Sequence, residues 1–239
     1  EHALRSDPRA TAVHYPLGMA YRGAGQGDKA EAELKARGTV APVLADPVLQ
    51  AATVTLDSAA SYEAAGMDAL RRQDWAGAAD TFRRGLAVAP SDASLRYWLA
   101  TAMIAGGDAA GAEREFRTVV REHPDYAKAH FSLGAVLDQR GHLPDALAEY
   151  RAAVTAAPNM PEARLRLADT LRRAGQLRPA IDEYSAAVGL DPGAAGAWVG
   201  GADVLLTLGE KDRAREWIAR GRRLHPTQPA LARMQEQLR

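Results

Sequence analysis

The 239-residue sequence contains no cysteine, which removes a whole class of chemistry. Without a thiol, the chain forms no disulfide, has no thiolate nucleophile and offers no cysteine ligand to a metal. Cysteine-free chains suit reducing and oxidising compartments equally. The composition therefore leaves the location open between the cytoplasm and the periplasm or an exported state.

Net charge is also missing, because 30 Lys and Arg residues balance 30 Asp and Glu residues. A chain without net charge has no long-range field that draws it to nucleic acid or to an anionic membrane surface. No apolar run approaches the ~20 residues that span a bilayer. We therefore expect neither nucleic-acid binding nor membrane insertion.

The sequence does contain a repeated pattern with a period of 34 residues. One place in the pattern is always alanine, and from the second copy onward the spacing is constant: Ala30, Ala78, Ala112, Ala146, Ala180 and Ala214. A proline follows twelve residues after each of the last five: Pro90, Pro124, Pro158, Pro192 and Pro226. A fixed period of this length indicates one helical hairpin that is built repeatedly and stacked on its own copies.

Aligning the prolines predicts six units, at 11–44, 59–92, 93–126, 127–160, 161–194 and 195–228. The eighth residue of a unit is always Gly or Ala and the twentieth is always Ala, as expected where two helices cross closely. The twenty-fourth residue is large, and it lies on the same helical face as the small alanine. A glycine in the middle of most units predicts the turn where the first helix stops: Gly25, Gly107, Gly141, Gly175 and Gly209.

The combination of a small residue at position 8, Ala at 20, a large, often aromatic residue at 24 and Pro at 32 resembles the signature of tetratricopeptide repeat (TPR) proteins. The segment 131–158, FSLGAVLDQRGHLPDALAEYRAAVTAAP, matches it closely, and the resemblance covers nearly the whole chain. It implies an all-α fold, a right-handed superhelical solenoid of antiparallel helix pairs with a C-terminal capping helix. The Ala- and Arg-rich composition favours a bacterial member of the family.

Two segments depart from the regular array. The spacing between Pro42 and Pro90 is 48 residues instead of 34, and we interpret residues 45–58 as an insertion or linker. Pro8 lies 34 residues before Pro42, so residues 1–10 are interpreted as the tail of a truncated preceding repeat.

The last eleven residues, 229–239, continue the helical pattern beyond the final unit. Leu231, Met234 and Leu238 fall on one face of such a helix. We therefore predict a capping helix that covers the apolar side of the last unit and ends the array.

A search for catalytic and metal-binding patterns finds none. No two of the six histidines have HxxxH or HExxH spacing, and no GxxxxGK[ST] or GxSxG segment is present. The glycine-rich segment at 23–28 falls on a mid-unit turn and has no strand before it. The sequence therefore predicts no metal, no cofactor and no enzymatic activity.

The resemblance also implies where a partner binds, because the first helix of each TPR unit lines a concave groove through positions that include 5, 9 and 12. Carried over to this chain, these positions give the candidate protein-binding residues: Tyr15, Met67, Tyr97, Thr101, Ile104, Phe131, Asp138, Leu165, Asp169 and Arg172. Exposed aromatics rimmed by charge mark interaction sites. The alternative is that Tyr97 and Phe131 only pack against neighbouring helices.

An apolar groove floor favours a helix or an extended peptide with hydrophobic anchors as the partner. The TPR proteins that clamp chaperone tails use Lys and Asn at positions 5 and 9, whereas the single asparagine here, Asn159, falls between units. The leading hypothesis is a non-catalytic scaffold for protein–protein interaction. Two others stay open: a docking region of a larger enzyme or exported redox protein, and a structural protein that self-associates.

Overall fold

The computed structural model describes residues 14–36 and 58–238. Within these two stretches the chain forms helices and no strand, which confirms the expected all-α class. In chain order the helices are α1 (His14–Gly23), α2 (Gly27–Lys35), α3 (Ala59–Arg71), α4 (Trp75–Val88), α5 (Ala93–Ala105), α6 (Ala109–Glu122), α7 (Ala127–Gln139), α8 (Leu143–Ala156), α9 (Pro161–Arg173), α10 (Leu177–Leu190), α11 (Ala195–Thr207), α12 (Lys211–Leu224) and α13 (Pro229–Gln237). The interpretations of residues 1–10 and of the 45–58 insertion, except for its last residue, lie outside the described stretches.

The chain divides into two compact units, residues 1–62 and residues 63–239. In the first, α1 packs against α2, with Gly18 and Ala30 buried. A Cβ atom added at Gly18 would lie 2.8 Å from Cγ of Leu34. The close helix crossing therefore explains the small residue at this place.

In the second compact unit the helices recur at fixed places in the 34-residue frame. From α5 onward, the first helix of each predicted unit begins at position 1 and the second at position 17, as in α5 and α6. From α4 onward, consecutive helices pack against each other, and the first helices α9 and α11 also contact directly. The helix pairs are therefore stacked copies of one hairpin, as the period indicates.

A short turn joins the two helices of each pair, and its backbone adopts a positive φ at position 15. All five glycines predicted for these turns have this conformation, with φ of 91° at Gly107. In the remaining pair the same place is taken by Gln73, with φ of 62°. In two of the pairs, a side chain then caps the N-terminus of the second helix. Asp74, for example, accepts a hydrogen bond from the backbone N–H of Gly77 at 2.9 Å.

The predicted small and large positions form the core. The alanines at position 20 from Ala78 onward are fully buried, and so are the side chains at position 24, such as Phe82 and Tyr184. A Cβ atom added at Gly134 would lie 2.9 Å from the ring of Tyr150, and one added at Gly66 would overlap the ring of Phe82. The pairing of small with large side chains is therefore confirmed.

The fourth residue of a unit makes a recurring pair of contacts that the pattern analysis missed. Its side chain bonds the carbonyl oxygen of the proline near the end of the preceding unit, and it also pairs with the glutamate at position 23 of its own unit. The carbonyl distances are 2.6 Å for Arg96, 3.0 Å for His130 and 2.8 Å for Arg164, and the glutamate distances are 3.1 Å to Glu115, 2.6 Å to Glu149 and 2.8 Å to Glu183. One side chain thus joins neighbouring units as well as the two helices of its own unit.

The last unit replaces this ion pair with two tryptophans. Trp198 Nε1 donates to the Pro192 carbonyl at 3.0 Å, and its ring lies 4.9 Å from that of Trp217. Helix α13 then packs on α11 and α12, with Leu231 fully buried and Met234 and Leu238 against the core. The predicted capping helix is confirmed.

Candidate protein-binding face

The first helices of the second compact unit carry positions 5, 9 and 12 on one side, because residues four and three apart share a helical face. We call this surface the first-helix face: Glu63, Met67, Leu70, Tyr97, Thr101, Ile104, Phe131, Ala135, Asp138, Leu165, Asp169, Arg172, Val199, Asp203 and Leu206. Nine of the ten predicted binding residues belong to it. The tenth, Tyr15, lies on α1 in the first compact unit and is 52% exposed.

The two aromatic residues of the face are half-buried. Tyr97 packs against Phe116 and Tyr126, with ring centroids 5.7 and 5.6 Å apart, and Phe131 lies 5.9 Å from Tyr150. One side of each ring therefore stabilises the helix packing. The alternative that these two residues pack against neighbouring helices is therefore correct for part of each ring. The rest of each ring is exposed to solvent.

The aliphatic residues of the face differ in exposure. Ile104 is 40% exposed, whereas Met67 and Leu165 are half-buried. Thr101 donates its hydroxyl to the carbonyl oxygen of Tyr97 at 2.9 Å, so its polar group is already satisfied and its methyl group remains for contact. Ile104 is therefore the side chain most available to a partner among these four.

Glu63 adds an acidic group at position 5, outside the predicted binding set. Its carboxylate accepts from the Ser94 hydroxyl at 2.7 Å and from Trp98 Nε1 at 3.2 Å. Both donors lie on α5, the first helix of the next pair, so this carboxylate links α3 to α5 by two hydrogen bonds. Since its partners are neutral donors, it leaves a negative charge at this end of the face.

The charged part of the face is held together by bonds between successive first helices. Arg173 pairs with Asp138 at 2.5 Å, and Arg172 pairs with Asp203 at 3.2 Å. The residues of each pair are 35 and 31 positions apart in sequence, so the spacing along a single helix gives no signal for them. Two of the predicted binding residues, Asp138 and Arg172, are therefore engaged within the chain.

Asp169 accepts a hydrogen bond from a buried tyrosine. The hydroxyl of Tyr184 donates to Asp169 Oδ1 at 2.5 Å. Burial, followed by this bond, raises the pKa of Tyr184, and the hydroxyl of Tyr184 raises the pKa of Arg172. The tyrosine therefore remains a neutral donor at physiological pH and holds the Asp169 carboxylate in place.

Neither a metal cluster nor a membrane span is found in the described part of the chain. No group of three or more His, Cys, Asp and Glu side chains there could hold a metal ion. Over the same residues, no helix combines the length and the apolar character needed to cross a bilayer.

The described residues also form a cleft of about 640 Å³ beside the starts of α7 and α9. Its wall includes Tyr126, Lys128, Met160 and Glu162. None of the ten predicted binding residues lines it. The cleft lies at the ends of the helices, whereas the predicted residues lie along them.

The match to a family model decides the classification. The model for the tetratricopeptide repeat matches residues 63–115, 100–161 and 165–229, which together make up more than half of the chain. The chain belongs to the tetratricopeptide repeat family. The recurring helix pairs α3 to α12 are therefore TPR hairpins.

Solved TPR structures share this fold at low sequence identity. YrrB, described as a TPR protein with an unusual peptide-binding site, has a TM-score of 0.65 and 19% identity over 81% of this chain and 100% of YrrB. PilF of Pseudomonas aeruginosa has a TM-score of 0.66 and 17% identity over 96% and 98%. MamA from Desulfovibrio magneticus RS-1 has a TM-score of 0.62 and 24% identity over 72% and 97%. A search of curated protein sequences gives no match.

Proposed function

We propose that this TPR protein is a non-catalytic scaffold that binds a helix or an extended segment of another protein on its first-helix face. The observation that carries the proposal is the partly exposed apolar set formed by Tyr97, Ile104 and Phe131. Rigid aromatic and aliphatic side chains that are already packed on one side lose little conformational entropy when a partner covers the other.

The charges of the face support a binding role rather than a catalytic one. Asp138, Asp169 and Asp203 each have a donor within the chain, so none is left as a free acid or base. A polar rim around apolar anchors is the usual composition of a protein interface. The zero net charge of the chain favours a protein partner over nucleic acid.

The test uses a phage-displayed library of random twelve-residue peptides and the variant Ile104→Asp. Ile104 is chosen because it is exposed, whereas a charge at Tyr97 or Phe131 would also disturb the core. We expect the wild-type chain to enrich peptides with apolar anchors and the variant to bind them at least tenfold more weakly, because its carboxylate would be desolvated on binding.

The matched control is Val88→Asp, which places the same charge at an exposed aliphatic residue on the second helix α4. Circular dichroism checks that both variants keep their helical content. If Ile104→Asp binds the enriched peptides as tightly as Val88→Asp does, the first-helix face is not the binding surface. A concentration series in light scattering checks the separate hypothesis of self-association.

A further inference from the structure

Two tyrosines at equivalent places of successive units differ in what their hydroxyls bind. Tyr150 and Tyr184 are both at position 24 and are both almost completely buried. The Tyr184 hydroxyl donates to Asp169, at position 9 of the same unit. In the unit of Tyr150, position 9 is the exposed Ala135, and the Tyr150 hydroxyl has no hydrogen-bond partner among the described residues.

The charges that act most strongly on the Tyr150 hydroxyl lie on the first helices α7 and α9. Burial is the main cause that raises its pKa to about 12; Asp138 and Asp169 add to this, while Arg166 and Arg173 lower it. The hydroxyl is therefore a protonated donor at neutral pH, with polar neighbours on the side of the first-helix face. Among the described residues, the only completely buried side-chain nitrogen or oxygen without a partner is Arg172 Nε, so the unbonded Tyr150 hydroxyl reaches solvent and is open to an acceptor from outside the chain.

Arg166 is the second donor at this place. It is exposed, at position 6 of α9, and its guanidinium forms no hydrogen bond or ion pair with any described residue. The neighbouring cations differ, because Arg172 pairs with Asp203 and Arg173 with Asp138.

Position 6 lies beside the tyrosine of the preceding unit, because a Cβ atom added at Gly200, position 6 of the last unit, would overlap the Tyr184 hydroxyl. Arg166 has the same place relative to Tyr150, so two donors, one of them charged, lie there with no acceptor for either among the described residues.

We propose that the space above Ala135 is a subsite for an acidic side chain of the bound segment, whose carboxylate accepts from the Tyr150 hydroxyl and pairs with Arg166. The inference rests on the proposed function, since it names the chemistry of the partner. The chain itself shows the arrangement in the next unit, where Asp169 provides the carboxylate for Tyr184.

Other groups fit this place less well. A cationic side chain would lie beside Arg166 and would offer no acceptor to either donor. A neutral amide would accept one hydrogen bond but leave the guanidinium without a counter-ion, and charge-assisted hydrogen bonds are about twice as strong as neutral ones. Asp138 does not compete for the place, because Arg173 holds it.

The test again uses the random twelve-residue library, displayed with blocked C-termini so that any selected carboxylate belongs to a side chain. The wild-type chain is expected to enrich Asp or Glu at a fixed spacing from the apolar anchors. Three variants address the subsite: Arg166→Gln removes the charge, Tyr150→Phe removes only the hydroxyl, and Ala135→Asp supplies the carboxylate from the chain itself. The control is Arg83→Gln, at an exposed arginine on α4.

Affinities are then measured by fluorescence anisotropy with amidated peptides and their Asp→Asn or Glu→Gln counterparts. We expect the wild-type chain to prefer the acidic peptide by about tenfold, as for one hydrogen bond to a charged group. Arg166→Gln and Ala135→Asp should abolish this preference, Tyr150→Phe should reduce it, and Arg83→Gln should retain it.

The outcomes separate this inference from the proposed function. Enrichment of apolar anchors without an acidic preference, or a preference that Arg166→Gln leaves unchanged, would overturn the subsite but not the binding face. Enrichment of Asn or Gln in place of Asp and Glu would also overturn it. Loss of binding with Ile104→Asp is the separate criterion for the face as a whole.

Discussion

His130 lies between two hydrogen-bond acceptors, and the nearer one is Glu149. Its Nδ1 atom is 2.6 Å from the Glu149 carboxylate, and its Nε2 atom is 3.0 Å from the carbonyl oxygen of Pro124. Both contacts are satisfied together only by the doubly protonated imidazolium. The bond to Glu149 is the main cause that raises the pKa of His130 above its ordinary value of 6.5, against the opposing effect of burial.

The stability of the protein should therefore depend on pH through His130. A raised folded-state pKa stabilises the fold fully below about pH 6.5, and this contribution is lost as the pH rises through the folded-state pKa. In His130→Arg the charge persists, as in the equivalent Arg96 and Arg164, so we expect a smaller loss of stability toward alkaline pH. Urea unfolding of both proteins between pH 5.5 and 9 measures the difference.

Glu149→Gln provides a second arm of this experiment. It removes the carboxylate that stabilises the imidazolium, so the pH-dependent contribution of His130 should shrink in this variant as well. Parallel pH profiles for the wild type and both variants would show that the His130–Glu149 pair does not titrate in this range.

Gln73 is a site where substitution should stabilise the fold. Its φ of 62° is the conformation that glycine adopts at the same place in the other turns, and side chains with a Cβ are strained there. We expect Gln73→Gly to raise the free energy of unfolding by about 0.5–1 kcal/mol, since the relief of strain exceeds the added chain entropy. The reciprocal Gly107→Gln should lower it by about 1–2 kcal/mol. Equal effects of the same sign in urea denaturation would contradict this explanation.

Gly66 is required by the ring of Phe82. Because a Cβ atom at Gly66 would overlap that ring, Gly66→Ala should destabilise the protein by about 1–3 kcal/mol. Gly189 on α10 is the matched control, since no atom lies within 4 Å of a Cβ atom added there. Gly189→Ala should be neutral or stabilising by up to about 1 kcal/mol. Thermal unfolding of the two variants decides, and equal melting temperatures would refute the steric argument.

Leu231 tests the role of the capping helix. Its side chain is fully buried against the last TPR hairpin, whereas Leu224, seven residues earlier, is 52% exposed. Leu231→Ala should cost about 2–5 kcal/mol, and Leu224→Ala should change stability by less than about 0.5 kcal/mol. Hydrogen exchange should show faster exchange in α11 and α12 for the first variant alone. Unchanged protection there would mean that α13 does not stabilise the last hairpin.

Local patterns were sufficient to predict the fold and only part of the candidate site. Contacts within one hairpin, such as that between Gly134 and Tyr150, recur at a fixed spacing and can be recognised from one chain. The contact of His130 with the carbonyl oxygen of Pro124 also recurs, but position 4 is Arg, His or Trp in different units. A search for one residue type at this position therefore does not find it. Position 4 could have been found by searching for a place in the repeat where the residue type varies but the side chain always carries an N–H donor.

The sequence by itself determined the hairpin, its period and its turns, because these depend on neighbours within 34 residues and on steric size. Only the tertiary structure decided which polar groups on the first-helix face remain available. Stacking pairs Asp138 with Arg173 and Arg172 with Asp203. Since hydrogen bonding between units depends on distance and direction rather than on residue type, no pattern along the chain distinguishes the paired Arg172 and Arg173 from Arg166.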